Sequence, residues 1–216
     1  MINFLKKLPD WIYKKKCYIC GSSKENSKIC SCCLKKINYL PYKEINCISK
    51  TKIYSCSFYE KTIQKMIRGI KYHNQKELSF YLAKILYKYW INLSLKNDSY
   101  VVIAVPLFEE RLKKRKYNHM ELIARDFCEL TNFEYDFNSL KRIKNTKPQY
   151  DLTKKQREKN LKDAFCFTFD GLKNKNILLI DDISTTGATL KEIIKEIQKN
   201  CNNNITALVL SIPNNT

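Results

Sequence analysis

Asp181 and Asp182 follow an apolar run, Ile177-Leu178-Leu179-Ile180, and stand just ahead of Ser184-Thr185-Thr186-Gly187-Ala188-Thr189. Hydroxyls of Thr185, Thr186 and Thr189, with backbone N–H groups at the start of a following helix, can wrap a phosphate monoester. Gly187 lets the backbone approach closely and take a positive φ. Two carboxylates just before such a cradle can accept hydrogen bonds from adjacent hydroxyls of a sugar, so the stretch suits a phosphorylated sugar. An ordinary strand end followed by a helix cap needs only one Ser, Thr or Asp. Ser184 to Thr189 supplies six polar or small residues in a row.

A second constellation lies near the start. Cys17 and Cys20, then Cys30 and Cys33, form two Cys-x-x-Cys pairs, with Gly21 after the first. Four thiolates close a tetrahedral Zn²⁺ site with Zn–S near about 2.3 Å, and a closed sulfur shell is structural rather than catalytic. Cys32 could stand in for Cys33, though only Cys30 and Cys33 keep the two-residue spacing. Cys47, Cys56, Cys128, Cys166 and Cys201 have no metal spacing and read as small core hydrophobes. His73 and His119 have no partner at useful spacing, so neither is expected to act as a base.

The elements that must hold these residues follow from periodicity. Residues 52–59 read as a strand. Ile63, Met66, Ile67 and Ile70, then Leu78, Tyr81, Leu82, Ile85, Leu86 and Tyr89, form two helical stripes that serve as core faces. Tyr100–Val105 is a strand buried on both faces, ended by Pro106. A helix carries Leu122, Ile123, Phe127 and Leu130. Strands are expected at Phe165–Phe169 and Ile177–Ile180, a helix through Leu190, Ile193, Ile194 and Ile197, and a strand at Ile205–Ile212. This alternation predicts an α/β fold with a mostly parallel sheet flanked by helices. Residues 141–160 form a long, polar, basic stretch of the kind that serves as a lid or stays disordered.

Bulk properties bound the rest. A chain of 216 residues accommodates one α/β domain of about 150 residues and a small appendage. The expected division is residues 1–48, containing a ribbon at 17–40, and residues 49–216. Phe4, Leu5, Leu8, Trp11, Ile12 and Tyr13 suggest an amphipathic turn or two before the ribbon. No apolar run is long enough to cross a membrane, and the first residues lack a signal peptide's h-region. A cytoplasmic location is expected, where paired cysteines mean metal more often than disulfide. The net charge of +19 suits nucleic acid or phosphorylated ligands, or reflects a Lys- and Asn-rich composition.

The strand, acidic pair and Thr-Thr-Gly-x-Thr turn resemble those of the type I phosphoribosyltransferases. That resemblance implies that Asp181 and Asp182 hold the ribose and that Ser184, Thr185, Thr186, Gly187, Ala188 and Thr189 hold the 5′-phosphate of phosphoribosyl pyrophosphate, with Mg²⁺. A four-cysteine knuckle pair ahead of such a domain resembles the ComF-type proteins associated with competence. Tyr59 and Ile67-Arg68-Gly69-Ile70-Lys71-Tyr72 follow that family's pattern. So do Val105-Pro106-Leu107, Arg111, Arg115, Tyr117 and Asn118, then Leu140, Arg142, Thr146, Gln149, Leu152, Arg157, Asn160 and Ala164-Phe165. Lys116 stands where the family has Gly, and His119 where it has Gln.

By resemblance, Leu107–Asn118 is a pyrophosphate loop and Arg142–Asn160 a mobile one. Pro106, Leu107, Arg111, Arg115, Asn118, Gln149, Arg157 and Asn160 are then candidate pyrophosphate or loop contacts. Arg111 to Lys116 places five cations in six positions, which suits a departing pyrophosphate or simply a solvated basic face. The implied function is phosphoribosyl pyrophosphate binding in DNA uptake, with transfer to an unread acceptor. Two alternatives stay open. One is a non-catalytic factor holding single-stranded DNA and a DNA-uptake helicase. The other is a nucleotide-salvage or amidophosphoribosyltransferase-like enzyme unrelated to DNA.

Overall fold

A computed structural model of the chain describes residues 15–95, 99–146, 154–168, 172, 175–199 and 203–214. In chain order these hold α1 (Ser31–Lys35), β1 (Asn46–Ile48), β2 (Thr51–Phe58), α2 (Lys61–Tyr72), α3 (Leu78–Trp90), β3 (Tyr100–Ala104), α4 (Glu109–Arg115) and α5 (His119–Thr131). Then come β4 (Glu134–Tyr135), β5 (Leu140–Arg142), α6 (Lys154–Leu161), β6 (Phe165–Phe167), β7 (Asn176–Ile183), α7 (Ala188–Gln198) and β8 (Ile205–Ile212).

Six strands form one sheet in the order β1-β2-β8-β7-β3-β4. β2, β8, β7, β3 and β4 run parallel, and β1 is an antiparallel edge. β5 and β6 pair antiparallel as a separate ribbon. The expectation of a mostly parallel sheet flanked by helices holds.

Period-two alternation sorts the sheet into two cores. Val102, Ala104, Leu178, Ile180, Leu208 and Leu210 face one side, where they join Ile63, Met66, Ile67 and Ile70 of α2, Leu82 and Leu86 of α3, and Ile123 and Phe127 of α5. Val101, Ile103, Ile177, Leu179, Ala207 and Val209 face the other, with Leu190, Ile193, Ile194 and Ile197 of α7 and Phe165 and Phe167 of β6. Every helical stripe read from the sequence is therefore a core face.

The cysteine module packs on the first of these cores. Cys17, Ile29, Cys30, Cys33 and Ile37 share it with α2 and α3. Tyr18 donates from or accepts at its hydroxyl opposite His73 Nδ1, 2.7 Å away, and Lys65 Nζ donates to the Ile19 carbonyl at 3.3 Å. Gly69 makes this seat possible. A Cβ there would lie 2.6 Å from Leu78 Cδ1 and 2.8 Å from Tyr18 Cε1.

Several expectations are corrected. β7 continues through Asp181 and Asp182 to Ile183, because β8 pairs with it as far as Ser211. Leu107–Asn118 is not an open loop: α4 occupies its middle, with Glu109 and Glu110 in the first turn and Lys113, Lys114 and Arg115 in the last, in the sense that suits the helix dipole. Within residues 141–160, Arg142 ends β5 and α6 begins at Lys154. Cys47 is exposed rather than core, because it sits on the edge strand β1, and Cys166 is only half-buried; Cys56 and Cys128 are buried as expected. The segment before Lys15, Cys201, Gln149 and Leu152 lie outside the described residues.

Replacing Gly69 with Val should lower the melting temperature. Overfilling a packed contact costs about 1–3 kcal/mol, which for a chain of this size is roughly 2–4 °C per kcal/mol. Thermal unfolding of Gly69→Val measures it, and an unchanged midpoint would mean that Tyr18 does not sit against α2.

Candidate functional site

Because β7 stays regular through Ile183, its two acidic side chains inherit the strand's alternation. Asp182 falls in register with Leu178 and Ile180, on the side of α2 and α5. Asp181 falls with Ile177 and Leu179, on the side of α7 and β5. Both are nearly inaccessible, 9% and 7% exposed for Asp181 and Asp182.

Their surroundings differ accordingly. Asp182 Oδ2 meets Lys71 Nζ of α2 in a short ion pair, and His119 Nε2 of α5 at 2.7 Å. Burial alone would raise the Asp182 carboxyl, but the Lys71 ammonium and the His119 hydrogen bond outweigh it and hold it far below the usual carboxylate range. Asp181 has no such direct partner. Its Oδ1 accepts from the Asp182 backbone N–H at 2.8 Å. Burial, then the adjacent Asp182 charge, push its carboxyl up to about 7 despite that bond and the positive field of Lys71 and Arg142. Arg142 itself is brought down to about 10 by burial and by Arg111 beside it.

The turn after β7 forms as its composition requires. Ser184 N–H donates to the Ser211 carbonyl at 3.0 Å, which fixes the exit of the strand. Gly187 caps α7 at φ +73°, the left-handed conformation that its lack of a Cβ makes inexpensive. Thr186 Oγ1 accepts from Ala188 N–H at 3.4 Å. Ser184, Thr185, Gly187, Ala188 and Thr189 line a hollow against Asp181.

That hollow adjoins a cleft of about 980 Å³. It opens at the carboxyl ends of β3 and β7, between α5 and α7, which pack on opposite faces of the sheet, the usual crevice for a ligand in an open α/β sheet. Tyr59, Pro106, Leu107 and Tyr117 contribute its apolar wall, and Thr185 and Thr189 reach it from the turn. Its cations are Arg68, Lys71, Arg111, Lys114, Arg115, Lys116 and Arg142, against the two carboxyls of Asp181 and Asp182. Arg111 Nη2 donates to the Thr146 carbonyl at 3.2 Å, and Arg142 Nη2 donates to Thr146 Oγ1, so one threonine holds both guanidiniums at the cleft wall. Arg115 lies over the Tyr72 ring, 5.2 Å from its centroid.

The structure thus gathers Pro106, Leu107, Arg111 and Arg115 around the acidic pair. Asn118 and Asn160 stand apart from that group. The Asn118 side chain caps α5, accepting from Met120 N–H at 3.0 Å and donating to Glu121 at 2.9 Å. Asn160 lies on α6 and is not part of the cleft lining. Arg157 also falls on α6, its side chain outside the described residues. Lys116 adopts φ +65° as the left-handed cap of α4, the conformation that glycine would take most easily. His119, expected to be without a partner, is 2% exposed and bonded to Asp182. The sequence's signals for it are its place in the first turn of the helix that follows the basic run and its departure from the Gln of the resembled family.

In the cysteine module, the sulfurs of Cys17, Cys20, Cys30 and Cys33 all lie within 4.8 Å of one another, and Cys32 is exposed outside the group. Cys20 and Cys30 Sγ are 3.7 Å apart. A tetrahedron with Zn–S near 2.3 Å has edges of roughly 3.8 Å, so the cluster fits Zn²⁺. Burial and the neighbouring sulfurs push the Cys33 thiol well above its ordinary range, and a bound divalent cation would reverse that.

A mostly parallel sheet that ends in a buried acidic pair and a Ser/Thr/Gly turn, with a cleft at its carboxyl edge, defines an α/β ligand-binding protein. Competence protein F of Haemophilus influenzae is 30% identical over 198 residues, covering 79% of this chain and 84% of its own. The chain belongs to the competence protein F family. DNA utilization protein YhgH of Salmonella typhimurium is 23% identical over 152 residues, with 69% of this chain and 66% of its own covered. No protein-family model matches the chain. Solved structures overlap it loosely. Glutamine phosphoribosylpyrophosphate amidotransferase from B. subtilis gives a TM-score of 0.40 at 16% identity, over 61% of this chain and 25% of that one. Purine phosphoribosyltransferase from Pyrococcus horikoshii gives 0.35 at 18%, over 65% and 75%.

Burying Asp181 protonated has a pH signature. Its folded pKa of about 7 lies above the ordinary value of 3.8, so its contribution to stability is complete in acid and is lost as pH rises through about 7. Asp181→Asn should therefore melt several degrees higher than the parent near about pH 8 and match it near about pH 4. Melting curves at the two pH values check this, and equal midpoints near about pH 8 would mean that the Asp181 charge is already compensated.

Proposed function

We propose that the chain binds 5-phosphoribosyl pyrophosphate with Mg²⁺ at the carboxyl edge of its parallel sheet and serves DNA uptake. The observation that carries the reading is the acidic pair split across the strand end, beside the Ser/Thr/Gly turn, in a cleft whose other charged residues are all cations. Asp181 and Asp182 accept the two ribose hydroxyls from opposite sides of β7. Backbone N–H groups of residues 184–189 and the hydroxyls of Ser184, Thr185 and Thr189 take the 5′-phosphate, aided by the positive end of α7. The pyrophosphate lies toward Pro106, Leu107, Arg111 and Arg115, with Lys114 and Lys116 behind them.

Held in this way, C1 of the ribose faces the centre of the cleft. The C1–O bond to pyrophosphate breaks as a nitrogen nucleophile approaches, and the negative charge that accumulates on the departing oxygen is met by the α4 guanidiniums. Mg²⁺, when bound with the donor, supplies further charge neutralisation to the pyrophosphate. Transfer to an acceptor is the enzymatic form of this reading.

A ligand-sensing form shares the same pocket. The cleft holds five more cations than acids, counting Arg68, Lys71, Arg111, Lys114, Arg115, Lys116 and Arg142 against Asp181 and Asp182. Tyr59, Tyr72 and Tyr117 also line it. Cations interleaved with aromatic faces suit phosphate contact and base stacking on single-stranded DNA, and a DNA-uptake helicase is the partner this role would need. The names of competence protein F and DNA utilization protein YhgH support placing the chain in that process. We further read residues 17–40 as a Zn²⁺ ribbon held by Cys17, Cys20, Cys30 and Cys33, ahead of a phosphoribosyltransferase-like domain from about residue 49. A cytoplasmic location fits the reduced thiols. No helix among the described residues is long and apolar enough to cross a membrane.

Calorimetric titration with phosphoribosyl pyrophosphate and Mg²⁺, repeated with single-stranded DNA present, tests the reading. Saturable binding is expected, and Asp181→Asn/Asp182→Asn should weaken it at least 10-fold, since a hydrogen bond to a charged group contributes about 1.5–3 kcal/mol. Heat that changes with DNA supports the sensing form. Undiminished binding by the double variant would overturn the site. Separately, stripping metal with a chelator should lower the melting temperature and raise amide exchange across residues 17–40. Unchanged exchange there would count against the ribbon.

A further inference from the structure

His119 is the buried group that the chemistry above leaves without a task. Its ring stands between two charged partners, with Asp182 Oδ2 at 2.7 Å from Nε2 and Arg115 Nη1 at 3.5 Å from Nδ1. A guanidinium can only donate, so Nδ1 is the acceptor and the ring proton resides on Nε2, directed at the carboxylate. Burial also disfavours the charged imidazolium. Lys71 meets the same oxygen, Oδ2, from the other side. Both contacts fall on Oδ2, and Asp182 lines the cleft, so Oδ1 is the oxygen that can meet a ligand.

Resting on the ribose reading, we infer that His119 is a positioning residue for Asp182: its Nε2–H, with Lys71, locks Oδ2 inward so that Oδ1 is aimed at a sugar hydroxyl. The lysine alone would not do this. An ammonium is a point charge on a flexible stem that tolerates many carboxylate orientations. An N–H on a ring fixed by packing at the start of α5 admits one. The arrangement makes His119 a determinant of sugar recognition that never touches the sugar, and it implies that its loss affects hydroxyl-bearing ligands selectively.

Two variants separate this task from packing. Glutamine can place its amide nitrogen near the position of Nε2 and still donate, whereas leucine fills the space without a donor. Ribose 5-phosphate and inorganic phosphate are titrated into the full chain and into His119→Gln and His119→Leu. The expected result is that His119→Leu loses about 10-fold in ribose 5-phosphate affinity, His119→Gln stays within about 3-fold, and all three bind inorganic phosphate alike. The inference is overturned if His119→Leu binds the sugar phosphate as the parent does. It is also overturned if the glutamine and leucine variants lose equally, or if phosphate affinity falls in parallel. A parent chain that binds phosphate but prefers it to ribose 5-phosphate would instead remove the ribose reading, and this inference with it.

Discussion

Two adjacent carboxyl groups at the end of a fully buried strand repel each other in a medium that screens poorly, so they cannot both ionise unless the fold supplies cations from outside the strand. In this protein the strand's own alternation resolves the difficulty. It sends Asp182 to the face where α2 provides the Lys71 ammonium and α5 a hydrogen bond from His119, and Asp181 to the other face, where burial and the Asp182 charge outweigh the fields of Lys71 and Arg142. One member of the pair is kept charged and the other is kept close to neutrality. The placement of α2, α5 and the β5–β6 ribbon around the sheet edge is what makes such a pair tolerable, and the cleft between them follows from that placement.

The same dependence links the cysteine module to the cleft. α2 presents Arg68, Lys71 and Tyr72 to the cleft, and on its other contacts it receives Tyr18 against Gly69 and His73. The helix that neutralises Asp182 is therefore the helix on which the ribbon rests. α4 contributes differently. None of its residues is buried, so its hold on the cleft comes from Arg111 on Thr146 and Arg115 on His119 rather than from a core. An element attached by polar contacts opens at lower cost than one attached by packing.

Much of this was legible before any coordinates. Buried parallel strands advertise themselves as apolar runs, amphipathic helices as stripes, and the phosphate turn and cysteine pairs as local spacings, because each depends on residues close together in the chain. What the sequence concealed depends on distant residues. His119 and Asp182 are 63 positions apart, and nothing near either one announces the other. β7 was read too short because acidic residues are poor strand formers, and pairing with β8 overrode that preference. α4 went unread because its charged composition carries no stripe. The edge strand β1 left Cys47 outside, a distinction that residue type alone does not make. Lys116, flagged like His119 as a departure from the resembled family, differs in having a local cause: a backbone at φ +65° gives the physical reason that glycine would suit the position.

The strand order has a consequence for how the chain is made. β8 is the last of the sheet's strands in sequence, yet it lies between β2 and β7, and all but its final residue are buried. A ribosome that has released everything up to α7 has produced two half-sheets, β1–β2 and β7–β3–β4, each with an open edge and no strand between them. The final insertion must close contacts between residues more than a hundred positions apart, a slow step for parallel strands. Through that interval the nascent chain is exposed to edge-to-edge association. The cysteine module, in contrast, emerges before the sheet and is local enough to organise at once. This protein is therefore expected to acquire its cysteine knuckle early and its ligand edge only when β8 arrives to brace Asp181 and Ile183 through Val209 and Ser211.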